Sequence, residues 1–198
     1  MTARAKEAAA VGFTIKSGWA AAVLLGGACS APRVLDSRRV ELSDPDVAAS
    51  TQPYHAGFGT AREPGDELKR LVSLVKTCGR KSVTVLLRDY QERASVRGAG
   101  VIVGSLIDPE TIGNDHIRIH AMEGQLFRTV VIEAAEKRGL KCSVCRERDL
   151  YTAATKSLKK TEAMIRKALA EAGRDVEGGW RAEQKAAALG AWMILNET

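Results

Sequence analysis

Two histidines and a glutamate recur at helical spacing near the middle of the chain. His116, His120 and Glu123 are four and three residues apart, which places their side chains on one helix face together with Phe127. Imidazole and carboxylate groups gathered in one place can bind a metal ion or transfer protons. We therefore predict His116, His120, Glu123 and the neighbouring Asp108 as catalytic candidates, without assigning a metal ligand. The alternative is a polar helix start that faces water, because spacing alone does not establish geometry.

Lysine and serine side chains form a second group of candidates, which suits a phosphate group. Lys16 and Ser17 lie in a predicted turn and Ser105 ends a predicted strand. Turn amides, hydroxyls and an ammonium group together bind phosphate. The predicted nucleic-acid-binding residues are Lys16, Ser17, Ser105, Lys156, Lys159, Lys160 and Lys185. The alternative for Lys16 and Ser105 is a solvated turn residue and a strand end, since no Gly-rich phosphate loop is present. Lys156, Lys159 and Lys160 belong to a basic run on a predicted helix, for which the alternative is a solvated face with Glu162 and Glu171 as counter-charges.

The composition is that of one globular domain with a basic surface. The 198 residues include 30 Lys and Arg against 24 Asp and Glu, which gives a net charge of +6. A basic surface favours polyanions, chiefly nucleic acid, through counterion release. No run of about eighteen apolar residues is present, so we expect no membrane span.

The four cysteines favour neither a secreted protein nor a metal site. A secretory signal ending at Cys29 is rejected because its apolar stretch, Trp19–Leu25, is very short and closely follows Lys16. The chain is therefore expected to be cytoplasmic, with reduced thiols. Cys142 and Cys145 have CxxC spacing, but a zinc site needs a second pair of ligands, and residues three apart on a strand face opposite sides. We expect no cofactor.

Apolar periodicity predicts a series of strands followed by alternating helices and strands. The predicted strands are Val11–Ile15, Trp19–Leu25, Arg33–Leu42, Gly98–Leu106 and Lys141–Arg146. The first predicted helix begins at Pro64 and is broken at Gly79. The second is His116–Arg138, capped by Asp115. The last two are Thr155–Ala172 and Trp180–Leu195. Residues 1–10 are predicted as a flexible tail and residues 11–198 as a single domain with a long loop at 43–65.

This order, an antiparallel meander of three strands followed by helices and parallel strands (βββαβαβα), predicts an α/β fold of the ribonuclease H-like class. Four segments resemble RuvC-type Holliday-junction resolvases within that superfamily. The hairpin Val11–Leu25 is similar to the family's opening strand-turn-strand, and Ala121–Val144 to its helix running into a strand. Asp149–Ala172 resembles the segment after that strand, and Lys185–Trp192 the closing helix.

The resemblance implies a nuclease that holds two Mg²⁺ ions with carboxylates from the first strand, the fourth strand and the last helix. In this chain the corresponding stretches are Thr14–Ser17, Val103–Ser105 and Lys185–Ala188, and none of them contains an acid. We therefore assign no catalytic residue by resemblance. Replacing a carboxylate by lysine changes the preference of such a site from cation to anion.

Three hypotheses follow. The leading one is a non-catalytic nucleic-acid-binding protein with a basic, metal-free phosphate-binding cleft. The second is a nuclease dependent on Mg²⁺ or Mn²⁺ that has rebuilt its acid cluster from Asp108, the two histidines and Glu123, with Glu183 as a further acid. The third is a protein-interaction subunit that docks through the 43–65 loop. The candidate docking residues are Tyr54, His55 and Phe58, and a homodimer is left open.

Overall fold

A single five-stranded sheet organises the chain, for which a computed structural model describes residues 6–57 and 60–197. The strands are β1 (Ala8–Lys16), β2 (Trp19–Ala28), β3 (Ala31–Glu41), β4 (Ser95–Val103) and β5 (Cys142–Arg146). Their order in the sheet is β3-β2-β1-β4-β5. The pairs β1–β2 and β2–β3 are antiparallel, whereas β4 pairs parallel with β1 and β5 parallel with β4.

Burial explains the composition of each strand. Nearly every residue of β1 and β2 is buried, because both faces of the central sheet are covered, so these strands are continuous apolar runs. The edge strand β3 is largely accessible and carries polar and charged side chains among its apolar ones. The antiparallel meander predicted from the sequence is confirmed, and β1 is longer than predicted. Its first residues, Ala8–Ala10, fall in the predicted tail, whose residues 1–5 lie outside the described part of the chain.

Five α-helices cover the two faces of the sheet, and no helix in the described residues is both long and apolar enough to cross a membrane. The helices are α1 (Asp66–Arg93), α2 (Asp115–Lys137), α3 (Leu150–Leu158), α4 (Glu162–Ala172) and α5 (Ala182–Asn196). One core lies between the sheet and α1 and α2, and a second lies between the opposite face and α3, α4 and α5.

Helix α1 is continuous, so the predicted break at Gly79 is wrong. A Cβ at Gly79 would lie 2.6 Å from Val130 Cγ1, so this glycine permits close packing between α1 and α2. The cap of α2 also differs from the prediction. The side chain of Asn114, and not that of Asp115, accepts the hydrogen bond from the Ile117 amide.

The predicted helix Thr155–Ala172 is two helices. Lys159 adopts a left-handed backbone conformation, with φ of 52°, and ends α3. Thr161 then starts α4, since its Oγ1 accepts a hydrogen bond from the Met164 amide. Apolar spacing continued across this turn, and for that reason the sequence suggested one helix.

Helix α5 packs directly on the backbone of the sheet. A Cβ at Gly12 would lie 1.7 Å from the carbonyl oxygen of Ala187, and one at Gly100 would lie 2.5 Å from the backbone of Gly190. Gly98, earlier in β4, lies against Ile194. Helix α5 therefore runs antiparallel to β1 and β4, and its first turn points toward the edge where those strands end.

Candidate functional site

The carboxyl-terminal ends of β1 and β4 form one side of a cavity of about 350 Å³. The two strand ends meet at one edge of the sheet because β1 and β4 are parallel. The first half of α2 forms the other side of the cavity. The structure brings together four sequence-predicted site residues here: Lys16, Ser17, Ser105 and His120. We call this the sheet-edge cavity.

The sheet-edge cavity is more apolar than a phosphate cleft. Its apolar lining residues are Ile15, Val103, Ile107, Ile112, Ile117, Ala121 and Phe127. Ile107 and Ile117 are more than half exposed, at 55% and 56%. An apolar concave surface with a few polar groups is typical of a site for a ligand with an apolar body.

The charges at this edge are partly balanced. Lys16 Nζ lies 3.2 Å from Glu147 Oε2, and both side chains are accessible to solvent. Such a pair contributes little to stability, but it reduces the positive charge that Lys16 offers to an anion. Arg128 Nη1 donates to the carbonyl oxygen of Ser105, and burial lowers the pKa of Arg128. Sequence reasoning missed Arg128, which no motif distinguishes from the other helical arginines.

The other predicted nucleic-acid-binding lysines do not line this cavity. Lys185 lies in the first turn of α5, on the opposite face of the sheet from α2. The basic run with Lys156, Lys159 and Lys160 lies near the other end of α5, where the Asn196 side chain donates to the carbonyl oxygen of Ser157. Lys185 and Asn196 are eleven positions apart in α5, which corresponds to about 16 Å at a rise of 1.5 Å per residue.

A cluster of imidazoles lies beside the sheet-edge cavity. The chain has three histidines, and His55 from the 43–65 loop joins His116 and His120 at the start of α2. One ring nitrogen from each lies within 4.8 Å of the others. His116 Nε2 and His120 Nε2 are 3.3 Å apart, and the ring of His55 lies 4.7 Å from that of His120. We call these residues the histidine cluster.

Glu123 lies beneath the histidine cluster and is only 1% exposed. Its Oε1 is 2.8 Å from His55 Nδ1, and its Oε2 is 4.0 Å from His120 Nδ1. Oε2 has no hydrogen-bond partner among the residues that the structure describes. Burial raises the pKa of Glu123, while His55 and a backbone hydrogen bond from Tyr54 act in the opposite direction. The pKa of His120 is lowered by burial and by the other two histidines, which favours its neutral form.

The histidine cluster opens into a second cavity of about 540 Å³. Its remaining lining comes from the 43–65 loop, which forms a 3₁₀ turn at Ala48–Thr51 and a bridge between His55 and Ala61. His120 lines both cavities and so connects the histidine cluster to the sheet edge. Arg62 on the far side of the loop hydrogen-bonds the carbonyl oxygen of His55 and holds this segment in place.

The acids required by the magnesium-nuclease hypothesis do not converge. Asp108 accepts a hydrogen bond from the Glu110 amide, and it lines neither of the two cavities. Glu183 belongs to α5 on the opposite face of the sheet from Glu123. In residues 6–57 and 60–197, the histidine cluster is the one group of three or more potential metal ligands close enough to share an ion.

The predicted docking residues of the loop face inward where the structure describes them. Tyr54 packs against the core, and burial raises the pKa of its hydroxyl. The side chain of His55 is 10% exposed. Phe58 lies outside the described residues. In the sequence, His55 stands out only as part of an aromatic-rich loop. Nothing local indicates that its side chain lies beside those of His116 and His120.

Comparison with solved structures identifies the fold. The structure is similar to Thermus thermophilus RuvC, with a TM-score of 0.56 and 10% identity over 93% of this chain and 92% of that one. It is also similar to T. thermophilus RuvC in complex with a Holliday junction substrate, with a TM-score of 0.55 and 12% identity over 93% and 90% of the two chains. No family model and no curated protein matches the sequence. The chain therefore has a RuvC-like ribonuclease H fold, as the sequence predicts.

Proposed function

We propose that this protein binds structured nucleic acid at its sheet edge, without the paired magnesium ions of a nuclease of this fold. Lys16 and Arg128 contact backbone phosphates, and the hydroxyls of Ser17 and Ser105 donate to them. The observation that carries the proposal is the convergence of Lys16, Ser17 and Ser105 on one cavity of a fold that, in RuvC, is seen with a Holliday junction.

The apolar interior of the sheet-edge cavity supports a preference for unpaired bases. A base that leaves its stack exposes an apolar face, and the half-exposed side chains of Ile107 and Ile117 offer such a face a matching apolar surface. Branched or bulged nucleic acid supplies such bases at lower cost than a fully paired duplex. We therefore expect tighter binding to a branched substrate than to a linear one.

Two further observations agree with this proposal. The net charge of +6 favours association with a polyanion. All four cysteines are free thiols, which is compatible with the cytoplasmic location that we propose for the protein.

The proposal is tested by the salt dependence of binding. Fluorescence anisotropy with labelled four-way DNA, linear duplex DNA and bulged RNA is measured in EDTA at several KCl concentrations. We expect binding that weakens as the salt concentration rises. In Lys16→Gln, the plot of the logarithm of the association constant against the logarithm of the salt concentration should become less steep by up to roughly 0.9, the value for one phosphate contact. Absence of salt-sensitive binding to all three substrates would refute nucleic-acid binding.

A matched pair of charge changes locates the contact surface. Glu147→Gln frees Lys16 from its partner, so binding at low salt becomes a few-fold tighter. Glu162→Gln makes the same change in net charge beside the basic run, where Glu162 is paired with Arg166 on α4. If Glu162→Gln strengthens binding and Glu147→Gln does not, the contact surface is the basic run and the sheet-edge proposal is wrong.

A further inference from the structure

We propose that His55, His116 and His120 form a binding site for one divalent transition-metal ion, with zinc as the ion best matched to the ligands. The site adjoins the sheet-edge cavity, which His120 also lines, and its ligand type differs from the carboxylates that the resemblance to RuvC-type resolvases implies for magnesium. Imidazole nitrogens suit zinc and its neighbours in the first transition row, whereas magnesium prefers oxygen.

The spacing of the nitrogens fits a tetrahedral ion. Zinc–nitrogen bonds are about 2.0–2.1 Å long, so two ligand nitrogens at the corners of a tetrahedron lie roughly 3.3–3.4 Å apart. His116 Nε2 and His120 Nε2 are separated by 3.3 Å. The third imidazole lies within 4.8 Å of both, so a small adjustment of the His55 side chain completes the set.

Glu123 prepares the histidines to act as ligands. Its Oε1 lies 2.8 Å from His55 Nδ1, and a hydrogen bond from Nδ1–H to this oxygen leaves the lone pair of His55 Nε2 for the metal. Oε2 lies on the Nδ1 side of His120, so the Nε2 of that ring also faces away from the carboxylate. A buried carboxylate behind metal-ligating imidazoles is a common arrangement that fixes the tautomer and increases ligand basicity.

The geometry leaves the fourth coordination position accessible. Three protein ligands and an open position are typical of catalytic zinc sites, whereas structural sites are closed by four protein ligands. The cluster opens into the 540 Å³ cavity, from which water or an anionic group can reach the metal. Metal binding also joins the 43–65 loop to α2, because one ligand comes from the loop and two come from the helix.

Zinc binding by the full-length protein tests the site. The protein is treated with EDTA, dialysed, and titrated with Zn²⁺ in competition with a chromophoric chelator, and Co²⁺ is added separately to record visible d–d bands. We expect one tightly bound equivalent of Zn²⁺, and Co²⁺ bands at the intensity of four- or five-coordinate geometry. His116→Ala and His120→Ala each remove an exposed side chain, so we expect both variants to fold. Each variant should lose the tightly bound equivalent of Zn²⁺.

The cysteines provide the matched control. The double variant Cys142→Ser/Cys145→Ser removes the pair of thiols with CxxC spacing, and we expect it to keep the tightly bound Zn²⁺ equivalent. Tight binding that survives His120→Ala, or that is lost in the cysteine variant, would overturn the proposal. Wild-type binding no tighter than that of His116→Ala would also overturn it. Because the nucleic-acid assay is run in EDTA, failure of either proposal leaves the other one standing.

Glu123→Gln separates ligand orientation from folding. The amide keeps the shape of the carboxylate but holds the His55 tautomer less strongly, so we expect Zn²⁺ affinity to fall by roughly 10–100-fold. Zn²⁺ raises the Tm of the wild type by binding the folded state and raises that of Glu123→Gln less at the same concentration. Equal affinity in the two proteins would refute the orienting role of Glu123.

Discussion

The contact between β1 and α5 permits a quantitative prediction for Gly12→Ala. A Cβ at this position would lie 1.7 Å from the carbonyl oxygen of Ala187 and 3.0 Å from the amide nitrogen of Ala191. Ordinary contacts of a Cβ begin at 3.4 Å. The helix must therefore move away from the strand by about 1.7 Å, close to half of a normal contact distance.

The loss in the free energy of unfolding caused by this movement lies at the upper end of the range for overpacked cores. Inserting a methyl group into a packed core costs about 1–3 kcal/mol when side chains can adjust. Here the opposing atoms belong to helix backbone, so no rotamer change relieves the clash. The shift also disturbs Trp192, which is fully buried and donates from Nε1 to the carbonyl oxygen of Cys29. We therefore expect a loss of about 3 kcal/mol or more, which lowers Tm by about 6–12 °C in a chain of this size.

Thermal and urea unfolding followed by far-ultraviolet circular dichroism measure this loss. Gly113→Ala is the matched control, because a Cβ there has no atom within 4 Å and the backbone is not left-handed. We expect the control to be within about 0.5 kcal/mol of the wild type, as for most surface substitutions. A Gly12→Ala protein as stable as the control would show that α5 does not pack on β1 as described.

Two further predictions concern α2 and the thiols. Gly124 lies within α2, and a Cβ added there would have no atom of another part of the chain within 4 Å. Because alanine has the higher helix propensity, we expect Gly124→Ala to raise the free energy of unfolding, measured by urea titration, by about 0.5–1 kcal/mol. A decrease would indicate a close contact at this position. Burial, with Glu136 as a lesser cause, raises the pKa of Cys142 to about 11, so little thiolate is present at neutral pH. Iodoacetamide should modify the exposed Cys29 well before Cys142, as followed by peptide mass spectrometry, and the reverse order would contradict this burial.

Much of the fold could be predicted because its signals are local. The apolar runs of β1 and β2 are separated by Lys16–Gly18, where Gly18 has a φ of 79° that favours glycine, so the hairpin is encoded within a few residues. The error at Gly79 arose where a tertiary contact decides the structure. Gly79 has the local character of a helix breaker, yet its lack of a side chain is what lets α1 and α2 approach each other.

In the candidate sites, too, the local features could be predicted from the sequence and the nonlocal contacts could not. The His116–His120–Glu123 spacing is a property of one helix, so the sequence places these residues on one face. His55 is more than sixty residues away in the chain, and only the course of the 43–65 loop carries it to that face. The ion pair of Lys16 with Glu147 is equally nonlocal, so the sequence overestimated the positive charge available at the sheet edge.

The chemistry of the two regions differs because of the charge that each ligand type carries. Two magnesium ions are held by several carboxylates, which repel one another and are stabilised by the cations between them. At the sheet edge the cation Lys16 is paired with Glu147. In the histidine cluster one ring nitrogen each of His55, His116 and His120 lies within 4.8 Å of the others, and imidazole ligands carry no negative charge, so they come together without the repulsion between carboxylates. Glu123, buried behind these ligands with its Oε1 2.8 Å from His55 Nδ1, orients the rings toward a cation without entering the coordination shell itself.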